Sequence, residues 1–150
     1  MRLRRPGLVA FAVLVSACDA VPPTEPPPTG PLPDTAVITV ASGSFFGSSS
    51  TQIFADGTLI GTTASDGKPP VRVIRQGGPG AYAKAAAVLA AEGAATKRAI
   101  KPHAQQCLDY GMDQVSATPP VAGFDQASTA CPDAAMSALM SHVLATLSQP

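Results

Sequence analysis

The chain has 150 residues, ten bases against ten acids for a formal net charge of zero, 45% hydrophobic residues and no tryptophan. A balanced charge gives no electrostatic footprint for nucleic acid, and the scarcity of aromatic residues means a core built from Val, Ile, Leu, Met and many alanines. The length suits one small domain and is too short for two once residues 1–34 are set aside.

Met1-Arg-Leu-Arg-Arg5 is a basic start, and Gly7-Leu-Val-Ala-Phe-Ala-Val-Leu-Val15 is an apolar run too short for a stable spanning helix. Val15-Ser-Ala-Cys18 then sets two small residues before a thiol. In order and spacing these three parts resemble the leader and lipobox of bacterial lipoprotein precursors, over the first eighteen residues only. The resemblance implies that the Cys18 sulfur receives a diacylglycerol, that a peptidase cuts between Ala17 and Cys18, and that the new amine is acylated. An ordinary secretory signal or an uncleaved anchor is the alternative. The implied location is the bacterial cell envelope, anchored in a membrane by acyl chains on Cys18 and facing the periplasm. Asp19, directly after Cys18, favours the inner membrane over the outer.

Residues 1–17 therefore read as a signal peptide, 18–34 as lipid anchor and tether, and 35–150 as one domain. Removing residues 1–17 takes away Arg2, Arg4 and Arg5, leaving seven bases against ten acids, a net charge near −3. All seven bases lie between Lys68 and Lys101, while Asp109, Asp113, Asp125 and Asp133 follow them. This separation reads as a solvated surface, with a charged docking face as the sharper alternative. Val21-Pro-Pro-Thr-Glu-Pro-Pro-Pro-Thr-Gly30 and Pro31-Leu-Pro33 lack core-forming side chains and favour polyproline II, which at about 3.1 Å per residue reaches roughly 50 Å. A passive spacer is the plain reading and a recognised proline-rich ligand the alternative.

Residues 35–41 are β-branched and apolar on both faces, a central strand. A Gly/Ser stretch over 42–50 follows, interrupted by Phe45-Phe46, a pair expected to tuck under the sheet or else to meet a partner or lipid surface. Residues 51–55 and 58–63 flank Asp56-Gly57, which predicts a hairpin with a type I′ turn. Asp66-Gly-Lys-Pro-Pro70 is a second turn and 71–75 a further strand. Short connections join sequential neighbours into a meander of about four antiparallel strands.

The period then changes. Gly77-Gly-Pro-Gly80 opens an alanine-rich helix over 81–100, with Tyr82, Ala85, Ala86, Leu89, Gly93, Thr96 and Ile100 on one face; small residues there allow close approach to the sheet. The glycine turn reads as a helix start; its alternative as an anion cradle is weakened by Pro79, which lacks an N–H. A second helix is expected from Pro132, with Met136, Leu139, Met140, Val143, Leu144 and Leu147 as its apolar stripe and His142 partly buried beside it. The class is α+β.

Between the helices, residues 103–130 are poorly periodic and read as one long restrained loop. With Cys18 acylated, Cys107 and Cys131 are the remaining pair, and an oxidising envelope favours a disulfide; free thiols or a redox pair are the alternatives, the latter without a C-x-x-C. His103, Asp109, Tyr110, Asp113 and Phe124 form the candidate binding loop. A Cys–His nucleophile there requires a free thiolate. Asp109, Asp113 and Asp125 lack calcium-loop spacing, and the two histidines lack zinc spacing, so no metal or other cofactor is expected. No G-x-S-x-G or phosphate loop is present. The expected role is non-catalytic contact with an envelope protein, without nucleic acid; a solute- or glycan-binding module with its site near 103–131 is the alternative, and an enzyme using His103, Asp109 or Asp113 ranks third.

Overall fold

The computed structural model describes residues 36–101, 107 and 111–148. Four strands come first: β1 (Val37–Ser44), β2 (Gly47–Phe54), β3 (Thr58–Ser65) and β4 (Val71–Gln76). Helix α1 (Ala81–Ala99) follows, then β5 (Asp113–Val121), β6 (Phe124–Thr129), helix α2 (Ala134–Ala145) and a closing 3-10 turn (Thr146–Ser148). The architecture is α+β: one antiparallel sheet in the order β4-β3-β2-β1-β5-β6 with two helices.

The sheet has six strands where the sequence predicted about four. The first difference lies in the Gly/Ser stretch, which forms the ends of β1 and β2 rather than a loop, paired from Ala41↔Ser50 to Ser44↔Gly47. The second lies in the expected long loop, most of which is the β5–β6 hairpin. Asp113, Val115 and Ala117 alternate with half-buried neighbours at period 2, a pattern disguised by small and polar side chains. Pro119 and Pro120 stand at the exposed end of β5, after a cis Thr118–Pro119 bond and within a register shift between Ser116 and Val121. Ala122 (φ 47°) and Gly123 (φ 82°) form its two-residue turn, both left-handed. The turn at Asp56-Gly57 also differs from expectation. Ala55, Asp56 and Gly57 make a three-residue loop in which only Gly57 has positive φ (88°), so it is not type I′.

Strand alternation sorts the side chains. Leu59, Ile53, Ile38 and Ala117 form one cross-strand row, and Gly61, Thr51, Val40, Val115 and Ala127 the next, on the face toward the helices. Against them pack Ala85 and Leu89 of α1 and Met136, Leu139 and Val143 of α2. Ala81, beside Leu59, and Gly93, against Phe124, show that α1 crosses from the β3 side of the sheet to β6. Asp133 caps α2, its carboxylate accepting from the Ala135 and Met136 N–H groups at 2.9 and 3.0 Å. The helices lie over β1, β2, β5 and β6 and stop short of β4. Val71 and Val73, on the helix-facing side of that edge strand, are consequently 63% and 58% exposed.

Candidate functional site

Cys107 and Cys131 form a disulfide with Cα atoms 5.2 Å apart, tying the chain before β5 to the end of β6. Cys131 is buried, and Thr129 clasps it: the hydroxyl donates to the Cys131 carbonyl at 2.9 Å and accepts from its N–H at 3.3 Å. Asp113 is buried in the adjacent cross-strand position to Thr129. The disulfide occupies both sulfurs, which removes the nucleophile from the Cys–His reading. His103, Asp109 and Tyr110 lie outside the described residues. Phe124 is 3% exposed and fills the core against Gly93, so it is not a side chain of a binding loop. The apolar residue in a stretch rich in turn formers looked free to meet a partner, but its own domain uses it.

His142 is also placed differently from expectation. It is exposed and pairs across the two helices, Nδ1 to the Glu92 carboxylate at 2.8 Å. It sits on the side of α2 facing α1, where helical spacing alone does not separate a core flank from a helix–helix rim. The glycine turn before α1 serves as a helix start: Gly80 is left-handed (φ 69°), and Ala81 N–H donates to the Gly78 carbonyl at 3.1 Å.

A cleft of about 440 Å³ lies where α1 ends over β6, lined by Lys97, Ile100 and residues 125–128. Lys97 Nζ donates to Asp125 Oδ1 at 2.8 Å across it. That hydrogen bond, then the Gln126 N–H, holds the Asp125 carboxyl below its ordinary range. Sequence reading missed this pair because Lys97 and Asp125 are far apart in the chain and become neighbours only once α1 crosses to β6.

The strongest exposed apolar feature is the β1–β2 turn. Phe45 and Phe46 are 75% and 68% exposed, with ring centroids 5.6 Å apart in an edge-to-face pair. The expectation that they tuck under the sheet fails because Ser44↔Gly47 is the last pair of the ladder and both rings lie beyond it. Met112, 51% exposed, lies beside the same end of the sheet, its carbonyl accepting from Gly43 N–H at 2.9 Å. The second exposed feature is the edge of β4. Gly77 N–H bonds the Gly57 carbonyl, so by alternation Val71, Val73 and Arg75 bond β3, while the backbone groups of Arg72, Ile74 and Gln76 point away from the sheet.

Among the described residues no cluster of three or more metal-ligating side chains occurs, and no helix is long and apolar enough to cross a membrane. No protein-family model matches the chain, and no similar curated protein or solved structure was found.

Proposed function

We propose that this chain is a lipid-anchored protein of the bacterial cell envelope whose α+β domain works by non-catalytic contact with another envelope protein. One observation carries the reading: of three cysteines, Cys107 and Cys131 are spent in a disulfide, and the third is Cys18 at the end of Val15-Ser-Ala-Cys18. A structural disulfide belongs to an oxidising compartment, and the lipobox resemblance leads to the same compartment by an independent route. Acyl chains on Cys18 hold the domain at the membrane, residues 19–34 space it from the headgroups, and Asp19 favours the inner membrane.

The protein contact fits the β4 edge. Arg72, Ile74 and Gln76 offer outward backbone donors and acceptors to an added strand, and Val71 and Val73 stand exposed beside it. Arg72 and Arg75 on the same strand suit an extended segment that carries acidic residues. Metabolic palmitate labelling tests the anchor, with label expected on the native chain and none on Cys18→Ser. Cross-linking from intact membranes followed by affinity purification tests the partner, and the expected result is one envelope protein recovered with the chain and lost on Arg72→Pro.

The Lys97–Asp125 cleft supports a second reading, a periplasmic solute- or glycan-binding module, because part of its lining falls within residues 103–131. In that case a small polar solute co-purifies with the chain and is lost on Asp125→Ala.

A further inference from the structure

We propose that the Phe45–Phe46 turn is a second, non-covalent membrane contact: a convex, uncharged wedge that enters the headgroup–acyl boundary of a lipid bilayer. The proposal deepens the membrane-anchored reading and rests on it for the presence of a nearby bilayer.

The turn is held out by its own hydrogen bonds and does not fold back. The Ser44 hydroxyl accepts from Phe46 N–H at 3.2 Å and donates to the Gly47 carbonyl at 3.3 Å. Asp66 N–H donates to the Phe46 carbonyl at 3.1 Å, bracing the tip from the neighbouring β3–β4 turn. Gly47 keeps this brace close, since a Cβ there would lie 2.5 Å from the Ala64 carbonyl oxygen. The two rings therefore project as one rigid apolar knob.

Shape and charge select the occupant. A protein partner would need a matching recess for two rings at the tip of a two-residue turn, whereas lipid packs around any protrusion. Residues 36–55, the whole of β1, the turn and β2, contain no charged side chain. Phenylalanine flanked by serine and glycine suits the membrane interface, where a charge would oppose entry. Nearby Asp66 and Lys68 offset one another, so the contact does not depend on anionic lipid. The geometry also permits reach. Phe45 lies at the opposite end of β1 from Ala36, nine residues or roughly 30 Å away at strand rise, within the roughly 50 Å span of the tether.

The absence of tryptophan supplies the test. The full lipidated chain carrying Phe46→Trp, reconstituted into phosphatidylcholine vesicles, has one indole fluorophore. The expected result is blue-shifted emission, quenched by lipids brominated at upper acyl positions and unchanged by high salt or added phosphatidylglycerol. Adding Phe45→Ser should lower the fraction of quenchable indole at least severalfold. Ala90→Trp, on the exposed side of α1, should stay water-like in the same vesicles. Water-like, unquenched emission from Phe46→Trp overturns the proposal. So does equal quenching of Ala90→Trp, or a blue shift that requires added envelope proteins and survives in detergent. Failure of the anchor is read separately: without palmitate on Cys18, the Cys18→Ser chain carrying Phe46→Trp is titrated with the same vesicles, and at least about tenfold weaker partition after Phe45→Ser still supports the wedge.

Discussion

Gly93 shows how one missing side chain sets the distance between a helix and a sheet. A Cβ at this position would fall 2.5 Å from Phe124 Cδ2 and 2.8 Å from Cγ, in the middle of a ring that is 3% exposed. In an open helix, Gly→Ala stabilises by about 1 kcal/mol; here the forced displacement costs about 1–3 kcal/mol. Gly93→Ala is expected to lower the urea midpoint, and Gly93→Ala with Phe124→Leu to recover much of the loss; a rise in the single variant would refute the packing argument. Ala122 presents the opposite case. Its φ of 47° strains a residue with a Cβ while the position is exposed, so Ala122→Asn is expected to stabilise by about 0.5–1 kcal/mol by thermal unfolding. Asp125 adds a pH dependence. Its folded pKa is depressed by Lys97, so its contribution is present above the unfolded carboxylate range and is lost as pH falls through the folded value. The difference in urea midpoint between the native chain and Asp125→Asn should be small at neutral pH, the pair being exposed, and should vanish on acidification.

At the scale of elements, legibility followed side-chain size. Helix α1 was readable because its buried positions repeat at helical spacing and Lys97 and Arg98 close its last turn. The strand starting at Val37 was readable from its β-branched residues. The β5–β6 hairpin was not, because its inward positions are Asp113, Ala117, Ala127 and Thr129 as well as Val115 and Phe124, and hydrophobic alternation fades when four of six buried residues are small or polar. An Ala-Gly turn also lacks the Asn-Gly signature of a type I′ hairpin. Of the candidate site, the disulfide was legible from cysteine arithmetic, while the Lys97–Asp125 cleft depends on a helix crossing the sheet, which no local pattern encodes. The disulfide closes the connection from α1 through the whole hairpin. Cys107→Ser with Cys131→Ser is expected to destabilise by roughly 3 kcal/mol, measured as a denaturant midpoint without reductant. The β4 edge permits a backbone test: Arg72→Pro removes an N–H that points away from the sheet, whereas Val73→Pro removes one bonded to β3. Val73→Pro should therefore destabilise the domain by about 1–3 kcal/mol more than Arg72→Pro, and equal losses would invert the assigned alternation.

For the whole molecule, the decisive comparison is between the proposed covalent and non-covalent attachments to the bilayer. Each buried acyl methylene contributes about 0.8 kcal/mol, so two or three acyl chains on Cys18, as proposed, would outweigh anything two phenyl rings supply at about 1.5–3 kcal/mol each when buried. On the proposed reading the two attachments would have different jobs: the lipid would fix residence at the membrane, and the Phe45–Phe46 turn would bias which end of the sheet faces it. With that end toward the headgroups, the β4 edge stays sideways and accessible, since β4 runs alongside β3 and its backbone groups point out of the sheet plane's rim rather than along the strands. The expected outcome follows from the inequality of the two terms. Cys18→Ser should move the chain from the detergent phase and membrane fraction into the soluble fraction with its Cys107–Cys131 bond intact, as read by a non-reducing gel with thiol alkylation. Phe45→Ser with Phe46→Ser should leave it membrane-bound but change the accessibility of the β1–β2 turn to a membrane-impermeant protease. Retention of Cys18→Ser in the detergent phase would mean that something other than acylation holds this domain to the bilayer.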